Sequence, residues 1–195
     1  MSGNEYSFYV EQGCKALGKI KDPSTVKYLT QVLNNGSDRD DSYAAFALKD
    51  MGPIAREAVP MLIDSLKTCD SSCWSITKAL GAIGDEAAIP ALLQFVLENP
   101  NQKSYNVRSS ARSDAILALK AIGTDSAVEA LKEILLGKGE LKEDNSYLSL
   151  RTTALDSLWE LRGEQENSFF CSLKEKDDIG NLEFYLKDKC KENLK

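Results

Sequence analysis

One five-residue pattern returns along this chain: Ala-Leu-x-x-Ile/Met, usually followed by Gly. It reads Ala16-Leu17-Gly18-Lys19-Ile20, Ala47-Leu48-Lys49-Asp50-Met51-Gly52, Ala79-Leu80-Gly81-Ala82-Ile83-Gly84 and Ala118-Leu119-Lys120-Ala121-Ile122-Gly123. A weaker copy is Ser157-Leu158-Trp159-Glu160-Leu161. Successive copies lie 31, 32, 39 and 39 residues apart. A unit of this length cannot bury its apolar face alone, so copies must stack, and the chain is expected to be a solenoid.

A second column of apolar residues follows each copy. Val26, Val59, Ile89 and Val128 are equivalent; Leu29, Leu62, Leu92 and Leu131 stand three residues on; Leu33, Leu66, Val96 and Leu135 stand four beyond those. Apolar positions i, i+3 and i+7 make one helical stripe. Each repeat is therefore two helices, A with the Ala-Leu pattern and B with this stripe. Gly84-Asp85 and Gly123-Thr124-Asp125 mark the turns between them, Gly serving the left-handed end of A and the polar residue capping B. Pro23 and Pro53 sit in the same turns.

The predicted A/B pairs are 5–20/24–34, 40–51/56–68, 72–83/86–98, 106–122/126–137 and 146–162/165–173. Ala16, Ala47, Ala79 and Ala118, with Gly13, Ala44, Ile76 and Ala115 three residues earlier, are expected to let neighbouring A helices approach through their small side chains. Two longer inter-repeat loops, 98–103 and 137–145, account for the wider later spacings. A final amphipathic helix over about 181–193, with Leu182, Tyr185, Leu186 and Cys190 inward, is expected to cap the end of the stack. The expected architecture is all-α: a right-handed α-solenoid of about five helical hairpins, repeats 5–34, 40–68, 72–98, 106–137 and 146–173, plus a cap over 178–195, in one domain spanning 1–195.

Composition narrows the chemistry. The chain has 195 residues and no histidine, which removes imidazole acid–base chemistry, Ser-His-Asp and Cys-His nucleophile pairs and every imidazole metal site. The net charge of −6 opposes binding to phosphate backbones, so no nucleic-acid partner is expected. No apolar run reaches the roughly 18 residues of a membrane span, and the first ten residues lack the basic and apolar regions of a signal peptide. A cytoplasmic setting without membrane insertion is the expectation. The odd set Cys14, Cys69, Cys73, Cys171 and Cys190 does not have the spacing of a disulfide framework, and buried free thiols are expected instead of a four-thiolate zinc site. No catalytic residue, metal ligand or cofactor is predicted.

The segment Gly84-Asp85-Glu86-Ala87-Ala88-Ile89-Pro90-Ala91-Leu92-Leu93 resembles the A/B turn of HEAT repeats, and more narrowly the short HEAT-like repeats first named from phycobilisome lyases. Leu150-Arg151-Thr152-Thr153-Ala154-Leu155-Asp156-Ser157-Leu158 is similar to that subgroup's A helix, as is 111–119. The resemblance spans roughly residues 10–163 and implies the fold. It also implies two departures. The A-helix arginine matches Arg112 and Arg151, but Val10, Asp41 and Cys73 stand at the equivalent places. Deoxyhypusine hydroxylase uses similar repeats to hold iron through His-Glu pairs, which this chain lacks.

The expected function is a non-enzymatic scaffold binding a partner protein on the B-helix face, which lines the concave side of such solenoids. The polar positions of that face are Lys27, Gln31, Asn34, Asp64, Lys67, Gln94, Glu129 and Glu133. Ile63, Leu93, Leu97 and Leu136 fall outside the core stripe; they either form an apolar patch for the partner or pack between adjacent B helices. The candidate binding set is thus Ile63, Asp64, Leu93, Gln94, Leu97, Glu133 and Leu136. The alternative implied by the resemblance is a phycobilin lyase, bilin chaperone or phycobilisome-degradation factor, with a bilin tetrapyrrole in the groove and a phycobiliprotein as partner. Trp74, Trp159, Phe169 and Phe170 are the other large groups; structural packing is expected of all four, with Trp74 and Trp159, which lie within A helices, placed to wedge between repeats.

Overall fold

The structure is a computed structural model that describes residues 3–35, 37–98, 105–137, 147–174, 182–187 and 189–190. Most of both inter-repeat loops and much of the tail lie outside these residues. The helices are α1 (Gly3–Ile20), α2 (Val26–Asn35), α3 (Asp38–Met51), α4 (Val59–Thr68), α5 (Cys73–Ile83), α6 (Ile89–Leu97), α7 (Tyr105–Ile122), α8 (Asp125–Leu135), α9 (Tyr147–Arg162), α10 (Asn167–Lys174) and α11 (Leu182–Leu186). No strand occurs among the described residues. The fold is an all-α solenoid. α1, α3, α5, α7 and α9 pack in succession as one layer, and α2, α4, α6 and α8 as the other.

The apolar columns explain the core. Leu29, Leu62, Leu92 and Leu131 are wholly buried, as are Leu48, Leu80, Leu119 and Leu158 of the repeated pattern. Each such leucine contributes about 1.5–3 kcal/mol through removal from water. The turns are tighter than the sequence suggests. Among the described residues four B helices open through a 3-10 turn, at Pro23–Thr25, Gly52–Ala58, Glu86–Ala88 and Gly163–Glu166, before α-helix begins. In two of them the cause is an aspartate cap: Asp22 accepts from the Ser24 N–H and Asp85 from the Ala87 N–H, while Thr25 and Ala88 return to the capping residue's carbonyl. Those i→i+3 closures wind the first turn tightly.

Close approach of A helices rests on glycine. A Cβ built at Gly18 would lie 2.9 Å from the Ala47 Cα, and one at Gly81 2.8 Å from the Ala118 Cα. Any larger residue there would push the repeats apart. Gly13 and Ala16, expected at such a contact, are instead exposed, because no described helix lies on their side of α1.

Ring and charge contacts tie neighbouring elements together. Trp74 on α5 meets Phe46 on α3 edge-to-face at 4.9 Å, and Trp159 on α9 meets Phe170 on α10 at 5.6 Å. Lys189 bonds Asp156 at 2.8 Å, joining the tail to α9. Leu182 and Leu186 are buried against α9 and α10, as the cap reading requires. The helix is shorter than the predicted 181–193: the Lys189 and Cys190 N–H groups both return to the Leu186 carbonyl, closing a turn. Tyr185 corrects its predicted place. It is 45% exposed beside Phe184, since so short a helix turns inward only Leu182 and Leu186.

The cysteines are a second correction. Cys69–Cys73 and Cys171–Cys190 are disulfides, and Cys14 is the free, buried thiol. The spacing of four residues gives no hint of pairing, but the α4–α5 turn brings the first pair of Cα atoms to 5.2 Å, within disulfide reach.

Candidate protein-binding face

The B-helix layer carries a groove of about 290 Å³ between α4 and α6. Ile63, Leu66, Ala91 and Phe95 supply its apolar lining, and Lys67, Gln94 and Glu98 its polar one. The helical register produces this directly. Ile63 and Leu66 stand three apart on α4, and Ala91, Gln94, Phe95 and Glu98 follow i, i+3, i+4 and i+7 spacing along α6. Two local pairs fix the rim: Lys67 donates to Asp64 at 2.7 Å, and the Gln94 amide donates to Glu98 at 2.5 Å. Asp64 and Lys67 are exposed, so their pair contributes little stability.

The predicted residues divide accordingly. Ile63 and Gln94 line the groove, and Asp64 stands at its edge through Lys67. Leu93, Leu97 and Leu136 are half-buried and pack against the core, and Glu133 on α8 is half-buried as well. These four are not in the groove lining. Phe95 is in it, although the core-stripe argument passes over it. Its signal lies in the column Val32, Ser65, Phe95, Ile134, where small Ser65 precedes the largest member and leaves room between repeats.

A wider, shallower depression of about 690 Å³ follows the A/B turns, with Pro53, Arg56, Gly84, Asp85, Ile122 and Thr124 in its lining. Arg56 bridges to Asp85 at 2.5 Å. That hydrogen bond, with the one from the Ala87 N–H, holds the Asp85 carboxyl below its ordinary range. The two charges of this pair neutralise each other within the lining.

At the A-helix N-termini the chemistry is structural. Asp38 accepts from the Ser71 N–H at 2.8 Å, from the Ser72 N–H at 3.2 Å and from both serine hydroxyls, so repeat two caps the start of α5. Burial pushes its carboxyl up, but the Ser71 and Ser72 hydrogen bonds outweigh this and hold it low. Asp41 is pushed up to about 6 by burial and then by the charges of Asp38 and Asp40. Among the described residues no group of three or more Cys, Asp or Glu converges to hold a metal ion. Among them too, no helix is long and apolar enough to cross a membrane.

Residues 73–98 and 111–137, which are α5–α6 and most of α7–α8, match the family model described as PBS lyase HEAT-like repeat. Both segments are PBS lyase HEAT-like repeats. The groove lies where the first of these HEAT-like repeats, through α6, meets α4 of the hairpin before it. Two A-helix arginines are buried, Arg112 inside the second matched segment and Arg151 beyond it: Arg112 donates to the Glu98 carbonyl, and Arg151 donates to the Leu135 carbonyl at 2.9 Å. No curated protein matches the chain.

Proposed function

We infer that this chain is a non-enzymatic scaffold whose B-helix face, centred on the α4–α6 groove, receives a partner protein. The observation that carries this reading is the groove's lining, with Ile63, Leu66 and Phe95 apolar beneath a rim of Lys67, Gln94 and Glu98. Such a pocket suits one apolar or aromatic anchor side chain with polar neighbours, the arrangement in which interface energy concentrates. Leu93, Leu97, Glu133 and Leu136 extend the same face toward α8 as its flanks. The acidic excess of the chain favours a basic or amphipathic partner surface. A photo-cross-linking residue at Gln94, compared with one at Lys49 on α3, tests the assignment. The Gln94 probe is expected to capture a protein that Ile63→Asp loses while the Lys49 probe captures none of it. Capture from Lys49 alone would place the partner elsewhere.

The family description favours a second reading, in which the face handles a bilin tetrapyrrole and the partner is a phycobiliprotein. Phycocyanobilin added to the purified chain, with and without the apo-phycobiliprotein, separates the two. A shifted visible band that becomes covalent on the partner supports bilin handling; an unchanged pigment spectrum supports the scaffold. A cytoplasmic setting belongs to both readings and would keep cysteines reduced. Alkylation under acid quench in the native cell, followed by mass measurement, tells whether the two disulfides form there.

A further inference from the structure

α1 presents an apolar face that no described helix covers. Tyr6, Tyr9 and Ile20 are 60%, 60% and 63% exposed, and Gly13 and Ala16 between them are exposed too. Positions 6, 9, 13, 16 and 20 are spaced by three or four, so they share one side of the helix. In α3, α5 and α7 the same register holds Ala44, Ile76 and Ala115 where α1 has Gly13, and Ala47, Ala79 and Ala118 where it has Ala16. All six are buried, and α1, α3 and α5 in turn pack on those helices. Tyr28 on α2 is half exposed too, at a register where the other B helices hold Met61, Ala91 and Ala130.

Gly13 sharpens the reading. Glycine inside a helix is unfavourable, and at Gly18 and Gly81 a crossing helix explains it. A Cβ built at Gly13 meets nothing within 4 Å. Among the described residues this notch has no occupant.

We propose that this face is a homodimer interface, on which a second copy lays its own α1 antiparallel about a two-fold axis at Gly13. The face is self-complementary in that arrangement alone. Tyr6 and Tyr9 lie on one side of Gly13, and Ala16 and Ile20 on the other. Antiparallel pairing sets Tyr9 of each copy over the small Ala16 of the other, and Tyr6 against Ile20. It also brings Glu5, in the first turn, toward Lys19, in the last turn, of the second copy, and opposes the helix dipoles. Parallel pairing would stack tyrosine on tyrosine and repeat like charges. An isologous contact of this kind closes at two subunits. One helix face is small beside the roughly 800 Å² per partner of a standard interface, so the dimer is expected to dissociate in the micromolar range.

Sedimentation equilibrium of the full chain from about 1 to 100 μM tests this. The expected mass passes from one to two chains over that range. Ala16→Glu and, separately, Tyr9→Ser are expected to weaken association at least tenfold with unchanged circular dichroism, both sites being exposed. Gly13→Cys, on the proposed axis, is expected to give a dimer on a non-reducing gel after mild oxidation. A monomer at every concentration overturns the proposal. So does a dimer indifferent to both Ala16→Glu and Tyr9→Ser, or a mass that grows past two chains, which marks head-to-tail stacking.

Discussion

Arg151 on α9 donates from Nε to the carbonyl oxygen of Leu135, the last residue of α8, at 2.9 Å. One repeat earlier, Arg112 on α7 donates to the carbonyl of Glu98, which caps α6. Each arginine thus satisfies a carbonyl that the preceding B helix leaves without an intrahelical partner. One repeat earlier again, the equivalent residue is Cys73, bonded to Cys69, the residue that caps α4. A covalent bond stands at the junction where the later repeats use a guanidinium.

Removing the Arg151 donor should therefore loosen the α8–α9 junction. Arg151→Ala leaves a buried carbonyl short of a charged donor, a loss of about 1.5–3 kcal/mol. Urea titration should show the midpoint falling, and Arg151→Lys should recover only part, since a point charge does not replace the planar fork. An unchanged midpoint for Arg151→Ala would mean that the contact adds nothing to stability.

The repeat register is legible in the sequence because it rests on side-chain volume and period: the leucine columns need only counting. Both arginines can be aligned from the sequence, but their acceptors cannot, since a backbone carbonyl leaves no trace in residue identity. The groove is half legible. Ile63 and Gln94 follow from helical register, whereas Phe95 depends on the size of Ser65 in the preceding repeat, a relation between columns. Leu93 and Leu97 look surplus to one helix's stripe, yet a B helix in a stack has a neighbour on each flank, so the flanks are half-buried. The exposed stripe of α1 reads as a contact in the sequence because the repeat pattern is the same whether or not a neighbour is present.

Asp41 gives a pH dependence of definite sign. Its folded carboxyl titrates near 6 and its unfolded one near 3.8. The folded state therefore holds that proton more tightly, and stability from this group declines as pH rises from about 4 to 6, then levels off. Discounted for the carboxyl's partial exposure to solvent, that difference amounts to a penalty on the order of 1–2 kcal/mol at neutral pH. Asp38, held low, acts oppositely and loses its contribution only as pH falls below about 4. Asp41→Asn should raise the melting temperature at pH 7, leave it nearly unchanged at pH 4 and flatten the slope between. A variant no more stable at pH 7 than the parent would show that Asp41 ionises without penalty.

Two glycines should respond in opposite ways to the same change. Gly81→Ala puts a methyl 2.8 Å from backbone at Ala118, where neither helix can give way without moving its repeat. A loss of about 1–3 kcal/mol is expected from overpacking. Gly13→Ala meets open space and should stabilise the monomer by about 0.5–1 kcal/mol through helix propensity. Equal effects at the two sites, measured by thermal melts at a dilution that keeps the chain monomeric, would remove the close-approach argument.

The two disulfides should differ in weight and in ease of opening. Cys69–Cys73 closes a separation of four residues and Cys171–Cys190 one of nineteen. Loop-closure entropy assigns them about 2 and 3 kcal/mol respectively. Both sulfurs of the first pair belong to buried residues, while Cys171 is only half-buried. Mild phosphine reductant, followed by alkylation and peptide mapping, should label Cys171 and Cys190 before Cys69 and Cys73. Opening that bond frees the tail that holds Leu182 and Leu186 against α9 and α10, so amide exchange should rise in 182–187 while α3–α6 stay protected. If the α4–α5 pair is labelled first, or exchange in 182–187 does not change after Cys171 is alkylated, then α11 is held by its two leucines and the Lys189–Asp156 bridge, with the covalent tie contributing nothing to its docking.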